Sequence, residues 1–336
     1  METTYSLAEQ NFNVMDAEPA PTQGMMNPTS FRIAQIENNT NCNWRCWFCQ
    51  NAHYDVPKTQ YMDLDFFRHI LREIRSVYTP RELNVISFSV YNEPTLDPTF
   101  KEKLQIMTDM GFNYWFLSNG SGMTKELVDF LIRYPQNIYD VRLNIPTMDE
   151  EDWKNVTGTS VKMMYKQDDW KAITGTTVKM MYKQYYELCY FFERTDRLNF
   201  PITVMVNGDG SDSHKKTFLS VYEKFKRFNN LHVSMTGLVD RAEMLKGVKT
   251  DKQSMPHSSV DYKGKTLTCG MNYFNNLYFG IEGNVYFCCH DYFQKYSFGS
   301  VKDKPLKELI QSDERATQMA RFNDDFCSKC SQAIIA

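Results

Sequence analysis

Cys42, Cys46 and Cys49 fall within the stretch NCNWRCWFCQ at residues 41–50. Their spacing lets one loop wrap a compact metal centre, since the longer gap spans at most about 14 Å when extended. Three thiolates hold three corners of a four-iron cube and leave the fourth iron open to a substrate or cofactor, much as a catalytic zinc keeps an open position. His53 follows Cys49 by four residues. Cys42, Cys46, Cys49 and His53 would equally close a tetrahedron around a structural zinc ion. A second set comprises Cys269, the pair Cys288 and Cys289, and Cys327 with Cys330. Four thiolates from a hairpin and a C-terminal pair suit zinc or a closed iron–sulfur cluster. Cys189, in the apolar helical stretch YYELCYFF, reads as a small buried hydrophobe.

The bulk composition narrows the class. The 336 residues are 42% apolar and 14% aromatic, ample for a packed core. A net charge of −3 gives no basic field for nucleic acid. No run of 18 apolar residues exists, so no membrane helix is expected. The polar, acidic start METTYSLAEQNFNVMDAEPA lacks the features of a signal peptide. A soluble, cytoplasmic protein is expected. In a reducing compartment, nine cysteines point to metal or redox chemistry rather than structural disulfides.

The elements that must position these residues alternate. Residues 1–29, with Pro19, Pro21, Gly24 and Pro28, read as a loosely packed extension. Strands are expected over 31–37, 83–90, 113–118, 139–145, 201–207 and 231–237. Helices are expected over 64–74, capped by Asp63; over 100–110, closed by Gly111; and over 124–134 and 214–228. Strict alternation implies a parallel sheet with helical crossovers, here an α/β open partial barrel. Ligands of such folds sit at the strand C-termini, and the first cysteine loop directly follows the first strand.

EDWKNVTGTSVKMMYKQ (151–167) is followed at once by DDWKAITGTTVKMMYKQ (168–184). Two copies are too few for a solenoid, and a tandem duplication lengthening the connection after the fourth strand is expected. Residues 30–245 then form the barrel, 246–268 a polar linker, and 269–336 a small second module. That module carries a hairpin turning at Glu282-Gly283-Asn284 and the helix PLKELIQS.

The cysteine loop, C-x3-C-x2-C with Phe48 before the last cysteine, resembles the signature of radical S-adenosylmethionine (SAM) enzymes. The match runs along residues 31–240. SVYNEP (89–94) is similar to the family's Gly-Gly-Glu-Pro motif, with Tyr91-Asn92 where glycines are usual. LSNG (117–120) looks like the Thr-Asn-Gly loop, and MVNGDG (205–210) occupies the adenine-side loop. The resemblance implies a partial (β/α)6 TIM-like barrel. It implies a [4Fe–4S] cluster on Cys42, Cys46 and Cys49 that binds SAM and releases a 5′-deoxyadenosyl radical. It places Phe48, Glu93, Ser118, Asn119 and Asn144 at the SAM site, with Glu93 receiving the SAM ammonium. A flavodoxin- or ferredoxin-type electron donor is implied as well.

Behind such a barrel, C-x13-G-x4-C…C-x2-C resembles the SPASM/twitch extension, and DRAEML (240–245) is similar to the Asp-Arg-Ala stretch that often precedes it. The resemblance implies an auxiliary [4Fe–4S] cluster on Cys269, Cys288, Cys327 and Cys330. With no cysteine after Cys330, the shorter twitch form with one cluster is expected. G-x4-C favours Cys288, and strict alternation along the hairpin would let only one of Cys288 and Cys289 reach the metal.

The function so implied is oxidation of a small polyol, sugar or aminocyclitol. A peptide-modifying maturase is the alternative, and residues 1–29 are short for a leader-recognition domain. A non-catalytic zinc scaffold is the alternative from another class. No general base is identifiable; Tyr91, His53 and Arg142 are candidates only.

Overall fold

The computed structural model describes residues 33–55, 58–147, 180–198, 202–238, 241–242, 244–245, 267–269, 276–330 and 333–335. The N-terminal extension, residues 151–179 of the duplication and most of the linker lie outside these. The six predicted strands form as β1 (Ile33–Ile36), β2 (Val85–Phe88), β3 (Asn113–Ser118), β4 (Ile138–Asn144), β5 (Ile202–Gly208) and β6 (Leu231–Gly237). Between them run α1 (Leu64–Val77), α2 (Phe100–Asp109), α3 (Lys125–Arg133), α4 (Met180–Thr195) and α5 (Asp212–Phe225).

Local chemistry sets the ends. Asp63 Oδ1 accepts from the backbone of Asp65 and Phe66 and starts α1. Thr124 and Ser211 cap α3 and α5 in the same way. Gly111 lies just past α2 with φ +71°, a left-handed conformation that glycine enters without steric cost. Strand periodicity of two then divides the faces. Ala34, Ile36, Phe88, Phe116, Val141 and Val204 are all 0% exposed, in the core shared with the helices. Each of the larger side chains, from Val141 to Phe88, contributes roughly 1.5–3 kcal/mol once buried.

The remaining strands are β7 (Leu267–Cys269), β8 (Asn276–Phe279), β9 (Val285–Tyr286) and β10 (Ala333–Ile335), with α6 (Leu306–Ile310) and α7 (Asp313–Asp325). The hairpin β8–β9 does not stand apart as a separate sheet. β8 pairs in parallel with β1, giving the order β6-β5-β4-β3-β2-β1-β8-β9. Gly283, at the hairpin turn with φ +81°, lies so close to α1 that a Cβ would meet Phe66 Cζ at 2.5 Å. His69 Nε2 on α1 bonds Val301 O at 2.9 Å, and Leu306 N donates to Glu73 Oε2 at 2.7 Å. The module is thereby welded to the first βα unit. Helix α7 was not expected from the sequence, although Ser312 caps it with Asp313 and Glu314 in its first turn.

Candidate functional site

The first cysteine loop leaves β1 and is tied back to the Glu93 loop by asparagine amides. Asn38 Nδ2 donates to Pro94 O (3.2 Å) and Asp97 Oδ2 (2.9 Å), and Asn39 Nδ2 donates to Glu93 O (3.2 Å). Glu93 N donates to Asn41 O at 2.8 Å. Within the loop, Cys49 N donates to Cys46 O at 2.8 Å, and Arg45 Nη1 bridges the carbonyls of Cys42 and Trp44. Cys46 is buried beside Trp44, Phe48 and Leu238, with Cys42 and Cys49 partly buried against the same cluster. Burial, reinforced by the field of Glu93, pushes the Cys42 thiol up to about 12. Burial and the neighbouring Cys49 and Cys42 thiols raise Cys46 as well. Thiols so placed need a metal's positive charge to ionise.

Glu93 is buried at the C-terminal side of β2 and accepts from four donors. Thr95 N (3.1 Å), Thr95 Oγ1 (2.5 Å) and Ser118 Oγ (2.7 Å) reach Oε1, and Asn119 N (2.5 Å) reaches Oε2. Burial raises its pKa against these hydrogen bonds. No cation pairs with it among the described residues. A desolvated carboxylate with spare lone pairs fits a ligand ammonium.

The other sequence candidates divide. Asn119 joins the group: its Nδ2 donates to Asn43 Oδ1 of the cysteine loop at 2.8 Å, and Ser121 N donates to its Oδ1. Ser118 is spent on structure, its hydroxyl donating to Glu93 and accepting from Gly120 N. Phe48 lies in the apolar cluster with its ring edge on Trp47. Asn144 ends β4, its Oδ1 accepting from Asn207 Nδ2 of β5 at 2.9 Å.

The Tyr91-Asn92 departure has a physical account. Neither residue has positive φ, so the loop does not need glycine dihedrals. Gln50 Nε2 donates to Tyr91 Oη (3.2 Å) and Asn51 Nδ2 to Tyr91 O (2.6 Å). The Tyr91 ring packs edge-on against Tyr292 of the second module, with centroids 4.8 Å apart. Arg241, whose φ of +54° lies in the left-handed region, hydrogen-bonds the same phenol. Tyr91 therefore joins cysteine loop, barrel and module. Nothing in the local sequence pattern signals this role.

Of the second cysteine set, Cys288, Cys327 and Cys330 are buried in the main core beside Phe287, Phe322 and Phe326. Cys269 lies on β7, in register with Ala333 of β10, three residues after Cys330. Strict hairpin alternation does not reach Cys288 and Cys289. β9 ends at Tyr286, and Asp291 N donates to Cys288 O in the turn that follows. The two thiols are instead hydrogen-bonded neighbours. That bond, and then the Arg241 guanidinium, lower the Cys289 thiol below its ordinary range against the cost of burial.

The zinc tetrahedron is not assembled. His53 is exposed, and its Nε2 lies 2.6 Å from Trp47 O. Among the described residues, no three His, Cys, Asp or Glu side chains gather as ligands of a single ion. No helix among them is long and apolar enough to cross a membrane.

Residues 39–175 match the radical SAM superfamily, and residues 269–331 match the SPASM iron–sulfur cluster-binding domain. The chain is a radical SAM protein with a SPASM-type domain. The two domains imply SAM, a [4Fe–4S] cluster and an auxiliary iron–sulfur cluster. A curated relative is the tungsten-containing aldehyde ferredoxin oxidoreductase cofactor-modifying protein of Pyrococcus furiosus. It is 27% identical over 138 residues, 39% of this chain and 37% of that protein. Among solved structures, BtrN in complex with AdoMet and 2-DOIA aligns with TM-score 0.53 at 16% identity, over 89% of this chain and 92% of that one. Streptococcus suis SuiB bound to precursor peptide SuiA aligns with TM-score 0.59 at 12% identity, over 90% and 70%. Native anSMEcpe with bound AdoMet gives 0.53 at 15%, over 85% and 82%. At such identities the likeness is one of fold.

Proposed function

We propose that the chain is a radical SAM dehydrogenase of a small polyol, sugar or aminocyclitol, assisted by one auxiliary [4Fe–4S] cluster. In this reading Cys42, Cys46 and Cys49 hold the SAM cluster, and Cys269, Cys288, Cys327 and Cys330 hold the auxiliary one. The observation that carries it is the junction of the cysteine loop, Glu93 and Asn119 at the strand C-termini, beside a module bearing the second cysteines. When bound, cluster and SAM supply reductive cleavage of the sulfonium and hydrogen-atom abstraction from substrate.

The protein's own residues bind and shield. Glu93, held by Thr95 and Ser118, takes the SAM ammonium. Asn119 and Asn144 offer amides towards the ribose and carboxylate. Trp44, Phe48 and Leu238 keep water from the cysteine loop. A flavodoxin- or ferredoxin-type protein supplies the electron. The BtrN complex contains 2-DOIA, and the alignment spans nearly all of that chain, which supports the choice of substrate class. The second reading is a peptide maturase, favoured by the TM-score of 0.59 to SuiB bound to its precursor peptide.

The test is anaerobic incubation of the reduced, reconstituted protein with SAM. Formation of 5′-deoxyadenosine is expected, with a polyol substrate yielding its ketone two mass units lighter. A colourless zinc protein indifferent to SAM would overturn the reading. A mass loss on a peptide, with no polyol oxidised, would favour the maturase.

A further inference from the structure

The interior face of the barrel holds a polar pair, Asp140 and Arg142, that the SAM site does not use. Along β4, Val141, Leu143 and Ile145 turn into the core shared with the helices. Asp140, Arg142 and Asn144 therefore take the opposite, interior face. β5 alternates likewise, with Ile202, Val204 and Val206 fully buried and Thr203, Met205 and Asn207 keeping part of their surface. A small barrel plugged by its own side chains closes both faces; this interior face is polar and half-open.

Arg142 is fixed within it. Its Nε donates to Asp140 Oδ2 at 2.6 Å, and its guanidinium carbon lies 4.5 Å from the centre of a Trp115 ring. Thr203 Oγ1 donates to the other oxygen of Asp140 at 3.4 Å. The Arg142 side chain retains 30% exposure against 10% for Asp140. No acceptor among the described residues reaches its Nη atoms. Two residues further along the same face, Asn144 and Asn207 present their paired amides.

A guanidinium held at Nε and across its plane presents its remaining fork to two adjacent oxygen atoms, with little entropy left to lose. Asp140 cancels its charge, so the pair offers an anion little net attraction. A hydroxyl group suits both partners, accepting from the guanidinium and donating to the carboxylate. We infer that Asp140 and Arg142, backed by Trp115, bind vicinal hydroxyls of the substrate in the barrel interior. The inference rests on the dehydrogenase reading above and names the residues that select its substrate.

The test is calorimetric titration of the anaerobic, SAM-loaded holoenzyme with myo-inositol, glucosamine and mannitol, and with succinate and inorganic phosphate as anionic probes. Saturable binding of at least one of the three hydroxylated probes is expected. Arg142→Lys keeps the charge for Asp140 but loses the fork, and should weaken that binding at least tenfold with an unchanged melting temperature. Asp140→Asn should weaken it comparably. Hydroxylated probes bound equally by wild type and Arg142→Lys, or none bound by wild type, would overturn the inference. So would binding of succinate or phosphate alone that Arg142→Lys abolishes. Formation of 5′-deoxyadenosine by the wild-type holoenzyme is measured alongside. Its absence defeats the radical SAM assignment, whereas its presence without binding of any hydroxylated probe defeats only the interior site.

Discussion

The backbone N–H of Glu93 donates to the carbonyl of Asn41 at 2.8 Å. Asn41 precedes the first cysteine of the loop, so the acid proposed to hold the SAM ammonium and the thiols proposed to hold its cluster are parts of one hydrogen-bonded unit. Asn39 locks that unit from one side, through its amide to Glu93 O and through its Oδ1, which accepts from Asn41 N at 2.7 Å. Asn119 locks it from the other through Asn43.

Replacing Glu93 by Gln removes the charge while keeping a polar side chain of the same shape. A hydrogen bond to a charged group contributes roughly 1.5–3 kcal/mol, so the Kd for SAM should rise by about ten- to a hundredfold by calorimetry. Burial raises the pKa of Glu93. SAM binding to the wild type should therefore weaken as pH falls through that raised value, and Glu93→Gln should lack this fall.

The cysteines separate by iron content. The wild-type protein should hold about eight irons, as two four-iron cubes require. Changing Cys42, Cys46 and Cys49 together to Ala should leave about four and abolish 5′-deoxyadenosine. Cys288→Ala should also lose about four irons, whereas Cys289→Ser should keep all of them. Equal losses from Cys288 and Cys289 would overturn the assignment of Cys288 alone.

Glu37, one residue past β1, is buried, and burial pushes its pKa up to about 7 despite hydrogen bonds from Ile281 N and Gln294 Nε2. The folded protein then binds a proton that the unfolded chain has released, between an ordinary carboxylate pKa and about 7. Stability should thus fall as pH rises through that window and level off above it. The loss is on the order of 3 kcal/mol, from about 1.36 kcal/mol per pKa unit. Denaturant melts of Glu37→Gln across the same pH range should be flatter, with the variant gaining most relative to wild type above pH 7.

Lys103 and Asp97 form an ion pair with both side chains fully buried beneath the Glu93 loop. Asp97 also accepts from Asn38 and Thr99. Lys103→Met leaves that carboxylate without its cation and should destabilise the fold by about 3–5 kcal/mol in urea melts. A change below 1 kcal/mol would mean that the asparagine and threonine suffice.

The barrel is legible in the sequence wherever a signal is local. Asp63 and Gly111 mark helix ends by capping chemistry, and Val141, Leu143 and Val204 mark strands by alternation. The pairing of β8 with β1 is not legible, because parallel neighbours 243 residues apart share no turn that fixes their register. Cys42, Cys46 and Cys49 stand out by type and spacing, and Glu93 only through the family motif that SVYNEP resembles. The asparagines at 38, 39 and 43 do not, since an amide's partner depends on loops brought together only in the fold. Ser118 shows the same limit. Its position is legible, but the donation to Glu93 that occupies its hydroxyl is not.

β8 has one further consequence. It lies along the flank of β1 away from β2, so β1 is an interior strand only while the C-terminal module is present. A truncated chain ending before residue 267 would expose the amides of Ile33–Ile36 as a bare edge, and such edges recruit other chains. The barrel without its module should therefore self-associate when expressed alone, which makes the module a folding partner of the radical centre and not merely a carrier of cysteines.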